Sequence, residues 1–72
     1  MDKQFFLPVG RLVTIVTMQK EFKGFLEGVI NFGGIPALWI TDTLDGDIIE
    51  MVIPLPQIMT LHVIKPGNQF QI

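Results

Sequence analysis

The chain has 72 residues, 49% of them apolar, a formal net charge of -2 and no cysteine. That length allows one domain with a small core, the absence of thiols excludes a disulfide framework and a thiolate metal site, and the charge balance excludes a broad basic surface. Apolar runs are cut by Gly, Pro or charge before they reach the roughly 20 residues of a membrane span. MDKQFFLPVG at the start has too little apolar length for a secretory signal, so the expectation is a cytoplasmic protein with no membrane partner.

Residues 1–10 form a short N-terminal segment in which Pro8 and Gly10 leave room for little more than one turn of helix. LVTIVTM, residues 12–18, is rich in β-branched types and predicts a first strand. EFKGFLEGVI, residues 21–30, predicts a second. Strict alternation puts Phe22, Gly24, Leu26, Gly28 and Ile30 on one face and Lys23, Phe25, Glu27 and Val29 on the other. Its two glycines point to a bend or a close backbone approach, as where a strand curls to close a small barrel.

NFGGIP, residues 31–36, reads as a loop, because Gly33 and Gly34 permit positive φ and Pro36 keeps its predecessor extended. ALWIT, residues 37–41, predicts a third strand and DTLDGD, residues 42–47, a turn built on Asp45-Gly46. IIEMVI, residues 48–53, is the fourth strand and QIMTLHVIK, residues 57–65, the fifth; Pro54, Leu55 and Pro56 make the corner between them, and residues 66–72 are a tail. Five short strands joined mostly by tight turns predict an all-β fold: a small, strongly bent, five-stranded antiparallel barrel of SH3-like or OB-like type over about residues 11–65.

The fourth strand is apolar on both faces, with Ile48, Glu50 and Val52 against Ile49, Met51 and Ile53, while the fifth sets Ile58, Thr60, His62 and Ile64 against Met59, Leu61 and Val63. A free-standing meander turns a polar face to water. Edge pairing between subunits is the expected explanation, with Ile49, Met51, Ile53, Ile58, Thr60 and His62 as the interface; a strand wrapped into two parts of one core is the alternative.

EFKGFLEG resembles the first signature block of the Sm-like family, which includes the bacterial host-factor proteins: Glu21, Phe22, Lys23, Gly24, Leu26 and Gly28 match its acidic, aromatic, basic, glycine, apolar, glycine order. The resemblance covers roughly residues 11–65. It implies one Sm-like domain over the chain, a bent five-stranded barrel whose fourth and fifth strands join neighbours into a cyclic homo-oligomer, and binding of single-stranded RNA at loops near a central pore. Carried onto this chain, the RNA contacts are Asn31 and Phe32, with Lys23 and Arg11 as nearby cations. Two loops depart from the family pattern: in the first, Ile30 falls where an acidic residue is usual and the Met-Asn-like pair is absent, and in the second, Pro54, Leu55 and Pro56 stand where Arg-Gly is common. Prolines lack backbone donors and a guanidinium, which favours comparison with divergent viral or metagenomic members. For a virus, the address becomes the host cytoplasm.

Catalytic chemistry is not expected. The chain has no Ser, Cys or Tyr and a single histidine, His62, and a lone imidazole works as acid or base only with a positioned partner. Asp42, Asp45 and Asp47 invite a calcium reading, but the flanking helices and terminal Glu of an EF-hand are missing, so turn hydrogen bonding is the expected role. Trp39 and Met51 are expected in the core or ring contact. Glu50 is expected either to meet Lys65 or Arg11, in the same or a neighbouring subunit, or to guard a solvent-facing edge. No cofactor or metal is expected. The functions in view are an RNA-associated ring, a structural or protein-interaction ring without RNA, and a monomeric SH3-like adaptor.

Overall fold

A computed structural model describes residues 7–65; most of the N-terminal segment expected to hold a turn of helix, and the tail, lie outside the described residues. The elements are β1 (Leu12–Thr17), β2 (Glu21–Phe32), β3 (Ile35–Leu44), β4 (Asp47–Pro54), a 3-10 turn (Leu55–Gln57) and β5 (Ile58–Val63). All ladders are antiparallel, and the five strands form one sheet in the order β4-β3-β2-β1-β5. No ladder joins β4 to β5 among the described residues. The expected closed barrel is therefore an open sheet, because its two outermost strands each lack a second partner.

Two of the three β-hairpins, β2–β3 and β3–β4, close more tightly than their composition suggests. Gly33 and Gly34 have φ of 62° and 86°, and Asp45 and Gly46 have φ of 53° and 85°, so each turn has positive φ at both central residues, the two-residue geometry that follows strand twist. The predicted loop 31–36 is thus mostly strand, with Phe32 paired to Ile35 and Asn31 to Pro36. Asn31 Oδ1 accepts a hydrogen bond from Gly34 N–H at 2.7 Å, which ties the turn. The predicted turn 42–47 likewise shrinks to Asp45-Gly46, and β3 runs on to Leu44.

β2 serves two ladders. Residues 21–25 pair with β1, and Phe25 onward pairs with β3. The two ladders meet beside Gly24, where an added Cβ would sit 2.5 Å from the Thr41 carbonyl oxygen. Gly28 meets nothing within 4 Å, so only one of the two glycines is held by close approach.

Two bulges correct the expected faces. Leu26 pairs with Ile40 but Gly28 with Trp39, leaving Glu27 unpaired; Ile40 and Trp39 are successive and face opposite ways, so Gly28 and Ile30 leave Leu26's face. On β5, Val16 pairs with Thr60 and Thr17 with Ile58. Met59 is the extra residue, and Ile58 turns inward with Leu61 and Val63, away from Thr60 and His62.

The core consists of Val13, Ile15, Leu26, Leu38, Ile40 and Ile53, with Phe22, Met51, Ile58, Leu61 and Val63 packed against it and partly open. At the β1–β2 turn, Thr17 Oγ1 donates to Lys20 O at 3.0 Å and accepts from Gln19 N–H and Lys20 N–H, both at 3.2 Å. This satisfies its buried hydroxyl, as burial requires.

The close approach at Gly24 gives a direct comparison. Gly24→Ala is expected to lower unfolding free energy by about 1–3 kcal/mol through overpacking against backbone, whereas Gly28→Ala changes it by less than about 0.5 kcal/mol. Urea denaturation of both variants at equal protein concentration checks this.

Candidate functional site

Among the described residues the outer edges of β4 and β5 have no ladder partner, and their hydrogen-bonding direction follows from the ladders they do make. Ile64 lies opposite Leu12 by extension of the β1–β5 register and donates its N–H to Leu12 O at 2.9 Å. In an antiparallel pair, backbone groups alternate between facing the partner and facing away. His62 and Thr60 therefore direct N–H and C=O toward β1, while Leu61 and Val63 direct theirs away from it.

On β4 the two-residue turn closes on Leu44 and Asp47, the hydrogen-bonded pair of such a turn. Asp47, Ile49, Met51 and Ile53 bond toward β3. Ile48, Glu50, Val52 and Pro54 face outward along the free edge. Pro54, which has no N–H, thereby costs the β3–β4 ladder no donor, as a proline in an edge strand should.

Side chains at both edges are only partly covered. Met51, Leu61, Val63 and Ile58 lie at the margin of the core; Ile53 is 3% exposed and covered by its own chain, while Ile48 is 73% exposed. Ile49 is half-buried, and Thr60 and His62 are exposed. On the outer face of β2–β3–β4, Ile30, Trp39 and Val52 are half-buried beside exposed Phe32 and Ile35. An apolar surface thus lies outside the core as well as within it. Sequence reading found the two apolar faces of β4 but not the outer surface that includes Ile30, because the bulge at Glu27 is silent in the alternation pattern.

The four residues proposed for RNA are not gathered into one site. Asn31 and Phe32 stand at the far end of β2, with Phe32 58% exposed and the Asn31 carbonyl oxygen engaged in its turn. Lys23 is exposed on the outer face opposite Thr14, nine positions before Phe32, roughly 30 Å along the strand at about 3.3 Å per residue. Arg11 is exposed beside mid-β2, its carbonyl accepting from Leu26 N–H at 2.9 Å. Pro54 ends β4, and exposed Leu55 and Pro56 begin the 3-10 turn.

A cleft of about 390 Å³ lies between the β1–β2 turn and that 3-10 turn, lined by Thr17, Met18, Gln19, Pro56, Gln57 and Met59. Its lining has thioether, amide and hydroxyl groups but no ionisable side chain, so it can offer contact area and hydrogen bonds without proton transfer. A second depression, about 300 Å³, is lined by Thr14, Glu21, Phe22 and Lys23. Lys20 Nζ lies 5.2 Å from the Phe22 ring centroid, within cation–π range.

Among the described residues, no group of three or more His, Asp or Glu side chains is placed to hold a metal ion. Asp42 Oδ1 accepts from Thr43 N–H at 2.7 Å, and Glu27 Oε2 accepts from the Thr41 hydroxyl at 2.7 Å. No helix among these residues is long and apolar enough to cross a membrane. Comparison with protein-family models, curated proteins and solved structures finds no match to this chain.

The Asn31 hydrogen bond assigns that residue a local role. Asn31→Ala is expected to cost about 0.5–1.5 kcal/mol, measured by thermal unfolding, with the β2–β3 turn amides losing hydrogen-exchange protection first.

Proposed function

We propose that this chain is a non-enzymatic Sm-like protein whose bent sheet assembles head to tail, edge β4 of one copy against edge β5 of the next, into a closed structural or protein-interaction ring. The observation that carries this reading is the pair of sheet edges, β4 and β5, that have no ladder partner among the described residues and are each flanked by apolar side chains only partly covered there. A free edge with apolar flanks is an open template for another strand. Because β4 and β5 are different surfaces, their contact is heterologous, and such contacts generate rings when the rotation closes.

Magnitudes favour closure over an isolated pair. Burying the remaining surface of four or five marginal side chains contributes roughly 1 kcal/mol each, and five or six ladder bonds add about 1 kcal/mol each. The sum, roughly 10 kcal/mol, is comparable with the roughly 4–15 kcal/mol cost of association. One contact alone is therefore weak, but the last contact of a ring forms at high effective concentration. The strand order, the close approach at Gly24 and the signature residues 21–28 support the Sm-like reading.

A second reading is supported by Phe32, whose exposed ring at the β2–β3 tip could stack on an unpaired base for about 1–3 kcal/mol. In a ring this tip recurs in every subunit, which could give single-stranded RNA a row of weak contacts. The separation of Lys23 from Phe32 and the acidic balance of the chain place this reading second.

Light scattering is expected to give a fixed multiple of the 8.1 kDa chain. Val52→Lys is expected to yield folded single chains with an unchanged circular dichroism spectrum, because Val52 lies at the edge outside the core. A wild-type mass of one chain would favour the adaptor reading and reject the ring. For the RNA reading, U-rich and A-rich oligomers titrated at low salt should bind wild type and lose affinity about 5- to 100-fold per stacked base with Phe32→Ala; no binding well above about 1 μM would discard it.

A further inference from the structure

The edge directions constrain how two copies can meet. On β4 the outward-facing backbone belongs to Ile48, Glu50 and Val52, whose side chains share the outer face with Trp39 and Thr41 by register. On β5 it belongs to Leu61 and Val63, whose side chains pack at the core margin. An antiparallel ladder can place outward groups only opposite outward groups. Even-numbered residues of β4 must therefore stand opposite odd-numbered residues of the neighbour's β5.

Resting on the ring reading above, we propose that the β4–β5 contact between copies exchanges faces: the outer face of β4 becomes continuous with the core margin of the neighbour's β5. In the register inferred here, Glu50 lies opposite Lys65 and Val52 opposite Val63. This accounts for a fourth strand that is apolar on both sides. Met51 and Ile53 serve the core of their own chain, while Val52 extends the neighbour's.

Charge selects among the registers that satisfy this alternation. Sliding the strands in steps of two puts Glu50 opposite Leu61, Val63 or Lys65, and only Lys65 supplies an opposite charge. That choice also puts Val52 against Val63 and Met51 against Ile64. Both charged side chains are exposed, and Lys65 follows directly after Ile64, whose bond to Leu12 O extends the β1 pairing. The occupant of each edge is thus a second copy of this chain, recognised by an acidic outward position on one edge and a basic position on the other.

A chain without cysteine permits a clean cross-linking test. In this register Met51 and Ile64 form a non-hydrogen-bonded pair, with Cα atoms about 4.5 Å apart, inside the range a disulfide spans. Oxidised Met51→Cys/Ile64→Cys protein should run as covalently linked multimers on a non-reducing gel. Met51→Cys/Leu61→Cys, aligned only if like faces continue across the contact, should remain single chains. Separately, Glu50→Lys should raise the concentration for half-assembly by about two- to fivefold, and Lys65→Glu in the same chain should restore it. Cross-linking of the 51/61 pair, or failure of the 51/64 pair in protein that still scatters as an oligomer, overturns the face exchange while leaving the ring standing. Wild-type protein that remains a single chain overturns both.

Discussion

The tightest constraint in this fold is the approach of β2 to the Thr41 carbonyl at Gly24. A side chain there would require the backbone to move, at the point where the β1 ladder gives way to the β3 ladder along one continuous strand. Around it, Val13 and Ile15 of β1 share one core with Leu38 and Ile40 of β3, and β4 and β5 are the ends of the sheet.

This economy explains the composition. A chain of 72 residues cannot surround a large core with its own surface, and the partly open Met51, Leu61 and Val63 mark where coverage runs out. A neighbouring strand would supply both the absent ladder partner and the absent apolar cover. In the proposed contact, Glu50 on one edge and Lys65 beyond the other would give polarity: two β4 edges would repel, whereas β4 against β5 would attract. Such charges act on specificity and register more than on total stability.

Much of the architecture was legible in the sequence. β-Branched runs and Asp45-Gly46 placed the five strands and one hairpin, and the surplus of apolar residues in β4 pointed to the edges. The Gly33-Gly34 hairpin was readable as a loop only because flanking Asn31, Phe32 and Pro36 resemble loop composition; pairing with β3 overrides that local signal. The bulges at Glu27 and Met59 were not legible, since alternation assumes one residue per position and each bulge reverses the face of what lies beyond it. The candidate RNA residues are close in motif order but separated along a twelve-residue strand, a distance that motif spacing does not reveal.

The account stands on the outward backbone groups of β4 being paired in the assembled protein. Residue-resolved amide hydrogen exchange tests this directly, because Ile48, Glu50 and Val52 point away from β3 while Ile49, Met51 and Ile53 point toward it. Glu50 and Val52 amides, which have no ladder partner among the described residues, are expected to be protected in concentrated protein to a degree similar to Met51 and to lose that protection on dilution. Exchange of Glu50 and Val52 at the rate of open chain under all conditions, with Met51 still protected, would contradict it.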